Sequence, residues 1–426
     1  MSQNTLIIDD GTGAEVLAAV NAALNSLATQ NSGTSEPTEK YAFMPWADTT
    51  NGLLKIRNAA NNAWITIGSL ADAYLGMIPA SQKAAANGVA SLGADGKVPS
   101  GQLPTISSTY GLFFKADPST VAFSKTGAGT ASIKAGTYIY VGSTLVSFGS
   151  ATAITMPTLT SGTDYAIWVK DDATIQATTN HTSAPGAGNW RKVGGFHYAP
   201  GGHSGSPGGG NSTPQINEYS FWDLKFRPAC PDPRGMVLVA ESFWSDIYLL
   251  GVDHLTNGTS KYGVTIADGS SPPKIPTKFG GTGSNAYGSL NWWEANDVLR
   301  SWGKRSPTYS EFAALAYGTT EASSIGSDPG STSWSATYLS KWGCNQASGV
   351  MWIWGDEFGG GAASAGWTAN TGGRGSTYQM ENAVVFGGNG GSGSNCGSRC
   401  SYWNSSPTVS DGYFGARGVC DHLILD

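Results

Sequence analysis

Apolar and polar positions change their spacing several times along the chain. Near the start, EVLAAVNAALNSL (Glu15 to Leu27) places apolar residues at helical spacing, which predicts a short helix or a coiled-coil seam. From Tyr41 to Leu70, two short apolar runs flank Thr50-Asn51-Gly52, and Asn-Gly between apolar runs predicts a hairpin. A lone hairpin buries too little surface to stand by itself, so it must pack on other parts or be completed by copies from other chains. Ala84 to Pro104 is punctuated by Gly and Pro and reads as extended.

The middle of the chain reads as all-β. Thr130 to Phe148 alternates apolar and polar residues, with a turn at Gly142-Ser143. YAIWVK (Tyr165 to Lys170) is a strand closed by Asp171-Asp172. Strands at this spacing predict a small sandwich, and Pro200 to Pro214 reads as a flexible loop by composition.

The texture changes again near residue 225. Met236 to Ala240 is a buried-type strand. In WWEANDVLRSW, Trp292, Ala295, Val298, Leu299 and Trp302 fit one helical face, with Gly303 as the stop. Thr308 and Glu311 form a capping-box pair that starts a second helix, ended by Gly318. Two helices beside short strands and long glycine loops are the pattern of an α+β domain dominated by loops. The fold class is therefore mainly β with an α+β part, divided at 1–105, 106–224 and 225–426.

The tail has two parts. Phe386 to Phe414 is crowded with Gly, Ser, Asn, Tyr and Cys and has no clear period, whereas Gly415 to Asp426 is compact and ends in Leu423-Ile424-Leu425. A loop of this composition on an ordered terminal segment suits a recognition surface, because Tyr offers rigid amphipathic area and Ser, Gly and Asn offer adaptable hydrogen bonds. A plain glycine-rich surface loop has the same composition.

Composition narrows the function. With 426 residues, two or three domains are expected. The chain carries 59 Gly, 15 Trp and 17 Tyr but only 13% charged residues, which points to a β- and loop-rich extracellular or structural protein rather than a helical enzyme. A net charge of -6 argues against nucleic acid and anionic membrane as partners. No apolar run is long enough to insert into a bilayer, and the N-terminus has acidic residues where a signal peptide has basic ones. The five cysteines, Cys230, Cys344, Cys396, Cys400 and Cys420, lack the regular spacing of a disulfide framework. Cys396 and Cys400 would need further ligands to hold a metal, and His422 is the nearest histidine.

Two resemblances sharpen this picture. ADTTNGLLKIRNAANNAWITIG and NGVASLGADGKVPSGQLP resemble bacteriophage tail-fibre and collar proteins, whose corresponding segments form intertwined trimers that attach a fibre to the virion. From about residue 111 to Asp426, stretches such as TASIKAG, RKVGGFHYAP, INEYSFWDLKFRP, HLTNGTSKYGVTIADGS and FGARGVCDHLIL resemble the major tropism determinants of Bordetella-type bacteriophages. That resemblance implies a receptor-binding protein at a tail-fibre tip: a homotrimer with an N-terminal intertwined β-prism, a β-sandwich and a C-terminal C-type lectin domain. The N-terminal region departs from the family and is longer, so attachment to other tail proteins can differ. The implied partner is a surface protein of the host bacterium's outer membrane, and the implied location is the virion, after synthesis in the bacterial cytoplasm. No cofactor is implied, and a structural calcium or magnesium ion is left open.

The family's C-terminal segment is rewritten by a diversity-generating retroelement that randomises adenines in chosen codons. Aligned from the shared FGG to the shared FGARGVCDHLIL, the implied variable, receptor-binding positions are Asn389, Gly391, Ser392, Gly393, Asn395, Tyr402, Asn404, Ser405, Val409, Asp411, Tyr413 and Phe414. Adenine changes in AAC or AAT codons never yield Lys, Glu, Gln, Met or Trp, and none of these stands at the twelve positions. Tyr402, Tyr413 and Phe414 are the expected binding anchors, since hot spots favour aromatics. Gly397, Ser398, Arg399, Trp403 and Pro407 are expected scaffold, with Trp403 as buried filler and Arg399 as a donor to loop carbonyls. Trp292, Trp293, Trp302, Trp352 and Trp354 are expected mostly in the core.

Two other readings compete. Formylglycine-generating enzymes share the fold type and use cysteines near the C-terminus; Cys396, Cys400 and Cys420 are the candidates here, without a Ser/His/Asp arrangement beside them. Calcium-dependent sugar lectins use a Glu-Pro-Asn-like triplet and Trp-Asn-Asp, whereas this chain has Trp403-Asn404-Ser405 without the carboxylate. Asp356-Glu357 is read as an acidic pair in a Gly-rich loop, bonding backbone groups or an ion.

Overall fold

The computed structural model describes residues 3–425 except 204–207, 363–365, 370–373, 375, 379–380 and scattered positions between 73 and 111. The chain divides into two compact units, Met1–Ile106 and Ser107–Asp426. It is mainly β with few helices.

In the first unit, α1 (Gly13–Ala28) starts at a capping box between Thr12 and Glu15. It is followed by a three-stranded antiparallel sheet of β1 (Pro45–Asp48), β2 (Leu53–Arg57) and β3 (Trp64–Ser69). The hairpin expected around Asn51-Gly52 is therefore extended by a third strand. Asp48 holds the β1–β2 turn: its carboxylate accepts from the backbone of Thr50 and Asn51 at 3.1 Å and from Lys55 Nζ at 2.7 Å. The indoles of Trp46 and Trp64 pack 5.2 Å apart beside this turn. Of the stretch read as extended, Ala84 to Pro104, about half, including 99–104, lies outside the described residues.

The second unit begins with short strands: β4 (Phe113–Phe114), β5 (Phe123–Lys125), β6 (Ala131–Ile133), β7 (Thr137–Val141), β8 (Thr144–Phe148) and β9 (Thr152–Ala153). The alternating run from Thr130 to Phe148 is thus three strands, with the expected turn where Val141 pairs Thr144. β10 (Thr163–Lys170), β11 (Ile175–Thr178), β12 (Trp190–Ala199), β13 (Gln215–Ile216) and β14 (Trp222–Asp223) form the larger sheet. Alternate residues of these strands meet in one core of Phe123, Ile133, Ile139, Tyr165, Ile167 and Phe196, where the Tyr165 and Phe196 rings stack 5.4 Å apart. Pro200 to Pro214 is not a free loop. Gly201, Gly202 and Gly209 are buried, and the backbone amides of Gly209 and Gly210 bond Gly318 and Ala336 at 2.9 and 2.7 Å. Glycine lets this backbone pack closely, a use that composition cannot tell from flexibility.

The remaining strands are β15 (Phe226–Pro228), β16 (Met236–Val239), β17 (Phe243–Asp246), β18 (Trp352–Ala362), β19 (Trp367–Ala369), β20 (Ser376–Tyr378), β21 (Glu381–Phe386), β22 (Ser401–Ser405), β23 (Phe414–Gly415) and β24 (Val419–Ile424). Three helices accompany them: α2 (His254–Asn257), α3 (Trp292–Ser301) and α4 (Tyr309–Leu315). One sheet runs β15-β24-β17-β16 and another β22-β21-β18-β23, so the last strand lies in the centre of the first. α3 buries Ala295, Val298 and Leu299, the face its spacing predicted, and α4 starts at the predicted Thr308–Glu311 capping box. Asp356-Glu357 lies in β18 rather than in a loop. Glu357 accepts the Tyr309 amide at 2.7 Å, at the first residue of α4, where backbone donors have no partner within the helix.

The core between these elements differs from expectation in its tryptophans. Trp354 is fully buried, but Trp292, Trp293, Trp302 and Trp352 are only half-buried; Trp244, on β17, is the other fully buried indole. A buried arginine ties the layers together. Arg417 has no exposed surface, and its guanidinium donates to the carbonyls of Asp246, Ile247, Asn345 and Gln346 at 2.5–3.3 Å. This is the carbonyl-tying role expected of Arg399.

Candidate functional site

The segment from Asn389 to Phe414 is fixed to its surroundings mainly through main-chain atoms. After β21, the Gly387 amide donates to the Cys400 carbonyl at 2.9 Å and Gly390 to Val350 at 3.0 Å. From outside the segment, Ala322 donates to the Cys396 carbonyl (3.0 Å), Gly326 to Gly390 (2.9 Å), Trp292 to Pro407 (3.1 Å), Gly269 to Asp411 (2.9 Å) and Trp352 to Tyr413 (2.9 Å). Side chains add further links, among them a bond from Asn382 Nδ2 to Asn404 Oδ1 at 2.8 Å. Glu321 takes the Ser398 amide at 2.9 Å and its hydroxyl at 2.6 Å, Ser324 takes the Gly393 amide at 3.2 Å, and Ser410 takes the Leu290 amide at 3.0 Å. Buried main-chain groups need partners, and here they find them without the side chains of the twelve positions, apart from local turn bonds.

Those side chains sort by burial. Gly391, Gly393, Asn395, Tyr402, Asn404, Asp411 and Tyr413 are exposed, with Tyr402 and Tyr413 each at 47%. Asn389, Ser392 and Val409 are half-buried, and Ser405 and Phe414 are buried. Asn389 uses its carbonyl oxygen on the Gly391 amide (3.0 Å) and the Ser392 hydroxyl (2.8 Å), closing a turn. The exposed Tyr402 stands on β22 and packs its ring 5.9 Å from Trp352, whose amide bonds the Tyr413 carbonyl. The half-buried indole thus backs the Tyr402 ring.

Phe414 does not match its expected role as an exposed anchor. It is 8% exposed and stacks on Trp354 at 5.0 Å and 30°, within a core that includes Leu250, Val298 and Val385. Tyr413 lies in the turn before β23 and is exposed, whereas Phe414, the first residue of the strand, faces the core.

Two scaffold expectations also change. Trp403 is partly buried; it packs edge-on to Tyr309 at 6.2 Å and bonds Ser401 Oγ at 3.0 Å. β18 passes so close beneath it that a Cβ at Gly360, whose φ is +73°, would run into the Trp403 carbonyl. Arg399 is exposed, and its carbonyl accepts from the Tyr309 hydroxyl at 2.9 Å. Glu321 and Arg417 carry the tying roles instead. Glu321 has no local sequence signal, while the Gly-Ala-Arg-Gly setting of Arg417 on an otherwise apolar tail was one.

The chemistry of the region favours contact over catalysis. Cys396 is buried, and burial pushes the Cys400 thiol up to about 11, with the neighbouring Cys396 adding to it. A thiol held protonated in this way is a weak nucleophile. Among the described residues, no group of three or more His, Cys, Asp or Glu is placed to hold a metal ion. Asp268 is raised chiefly by burial and also by the charges of Asp328 and Asp411, yet it already accepts the Ser270 and Ser271 amides.

A sheet whose connecting segment is held by its own backbone while aromatic and small polar side chains face outward is a display surface for binding, on a fold of C-type lectin type. Comparison with known proteins agrees. Residues 121–223 match the family described as the Mtd second domain. Over 325 residues the chain is 57% identical to the tail fiber receptor-binding protein of Bordetella phage BPP-1, covering 74% of this chain and 85% of that protein. The structure resembles the Major Tropism Determinant U1 variant with a TM-score of 0.74 at 49% identity, over 90% of this chain and 96% of that one. For the P3c variant the TM-score is also 0.74, at 48% identity over the same shares. The chain belongs to the major tropism determinant family.

Proposed function

We propose that this chain is a phage tail-fibre receptor-binding protein that recognises a surface protein of its bacterial host. The observation that carries the reading is the separation of support from display: main-chain bonds from Gly269, Trp292, Ala322, Gly326 and Trp352 hold the segment, and seven of the twelve positions face outward. Side chains presented on a preformed backbone lose less freedom on binding than a loop that must order itself. Tyr402, packed on Trp352, and Tyr413 are the anchors; Gly391, Gly393, Asn395, Asn404 and Asp411 shape the surface around them. Asn389, Ser392, Val409 and Ser405 act by shaping turns and packing, and Phe414 acts from the core. Diversification of these positions by a retroelement is part of the same reading.

The working form is a homotrimer on the virion. It has an attachment and trimerisation region at 1–105, a sandwich at 106–224 and a lectin-type domain at 225–426. Three surfaces per trimer raise weak single-site binding by about 10²–10⁴ where the geometry lets them engage together. Purified chain should compete with phage for adsorption to host cells, and a Tyr402→Ala/Tyr413→Ala double variant should fold equally well but fail to compete. Undiminished competition by that variant would overturn the assignment.

A further inference from the structure

Away from the display surface, the fold brings two free thiols together. In the antiparallel pairing of β15 with β24, Phe226 faces Ile424, Arg227 faces Leu423 and Pro228 faces His422, and the Ala229 amide bonds the Asp421 carbonyl at 2.9 Å. Continuing that register sets Cys230 opposite Cys420, at a pair that exchanges no backbone hydrogen bonds. Such pairs have Cα atoms about 4.5 Å apart, inside the range that a disulfide spans. Both thiols are buried in one small core with Met236 and Trp244, and they lie within hydrogen-bonding reach of each other. Close by, the buried Lys304 ammonium is held by Asp246 at 2.5 Å and Thr259 at 2.8 Å, so the pair lies beside a buried ion pair whose two charges act on it in opposite senses. A cavity of about 130 Å³, lined by Lys304, Arg305, Cys420 and Asp421, reaches Cys420 from the surface.

We propose that Cys230 and Cys420 form a peroxide-responsive dithiol that closes to a disulfide. The cavity has room for a molecule the size of hydrogen peroxide, and because both thiols are buried a small oxidant reaches them more readily than a peptide-sized disulfide. Cys230, whose thiol is lowered by the hydrogen bond from Cys420 and less by Lys304, attacks a peroxide oxygen beside it; the O–O bond breaks, and the hydroxide that leaves takes a proton to become water. The resulting sulfenic acid is attacked by the second sulfur, the S–O bond breaks, and a second water leaves. Two thiols and one peroxide give one disulfide and two waters. The bond joins the start of the lectin-type region to its central last strand. It is independent of the display surface, so it can fail while the proposed function stands.

The test uses the full-length protein, treated with one equivalent of hydrogen peroxide and mapped by mass spectrometry without reduction. The expected result is a loss of roughly 2 Da and a peptide pair joining Cys230 to Cys420, with far slower linkage by oxidised glutathione. The melting temperature should rise on oxidation by several degrees and return on reduction. Sulfinic acid at either cysteine without linkage, a Cys396–Cys400 bridge instead, or no oxidation at the pair would overturn the proposal. Wild-type chemistry is read directly, so the outcome does not depend on a cysteine variant folding.

Discussion

Tyr413 and Phe414 are adjacent aromatics that should respond oppositely to truncation. Phe414 is 8% exposed and stacked on Trp354, so Phe414→Ala removes a ring from a closed core. Phe-to-Ala changes in cores cost about 3–5 kcal/mol, including roughly 0.5–1.5 kcal/mol for the lost ring pair. For a unit of this size, each kcal/mol moves the midpoint by about 2 °C, so a drop of about 5–10 °C is expected. Tyr413→Ala trims a side chain that is 47% exposed and leaves untouched the carbonyl that Trp352 bonds. Its stability should change by no more than about 0.5 kcal/mol. Thermal unfolding of the two purified variants, alongside adsorption competition at a temperature where both are folded, separates the roles. Tyr413→Ala should lose competition at wild-type stability, and Phe414→Ala should keep it at reduced stability. If Phe414→Ala melts with the wild type, the burial argument fails; if it also loses competition while folded, Phe414 is a contact after all.

Arg417→Lys keeps the charge but cannot reach four carbonyls with a planar fork, so it should cost on the order of 3–5 kcal/mol and visibly lower the melting temperature. Glu321→Ala releases the Ser398 amide and hydroxyl, and amide exchange in 396–400 should quicken by about tenfold while the melting temperature barely moves. The Asp48 carboxyl is lowered to about 2 by its bond from Lys55 and then by Asn51. It therefore stabilises the first unit's sheet above its unfolded value near 4, and that support is lost as pH falls from about 4 to 2. Pepsin should begin cutting within 45–69 over that window, and Asp48→Asn should already be cut at pH 4.

The parts of the fold that were legible in the sequence rest on local signals. α3 and α4 carry their apolar stripe or capping box within a dozen residues, and the β7–β8 turn is written at Gly142-Ser143. What escaped depends on distant partners. β22 hides because Ser401-Tyr402-Trp403-Asn404-Ser405 alternates only once it lies against β21. The four half-buried tryptophans look like core residues in sequence, and only packing shows that each keeps one edge near solvent. Arg399 and Arg417 both sit among small residues, yet one is exposed and the other wholly enclosed. At the display surface, resemblance supplied the positions, while burial divided them. Nothing local separates Tyr413, in a turn, from Phe414, which opens the two-residue β23 and packs on Trp354.

The backbone at Gly393 sets a filter on what that position can become. Its φ is +53°, a left-handed conformation that glycine adopts freely, asparagine and aspartate tolerate, and β-branched residues resist. Its amide also donates to Ser324, so proline there would remove a donor as well as clash. On the proposed diversification, the outcomes of an asparagine codon rewritten at its adenines include asparagine, aspartate and glycine, the three residues this geometry accepts. A repertoire proposed at Gly393 would therefore be narrower in folded protein than in DNA. At Tyr402, whose exposed side chain stands on β22 in register with Val385, the two would be closer to equal.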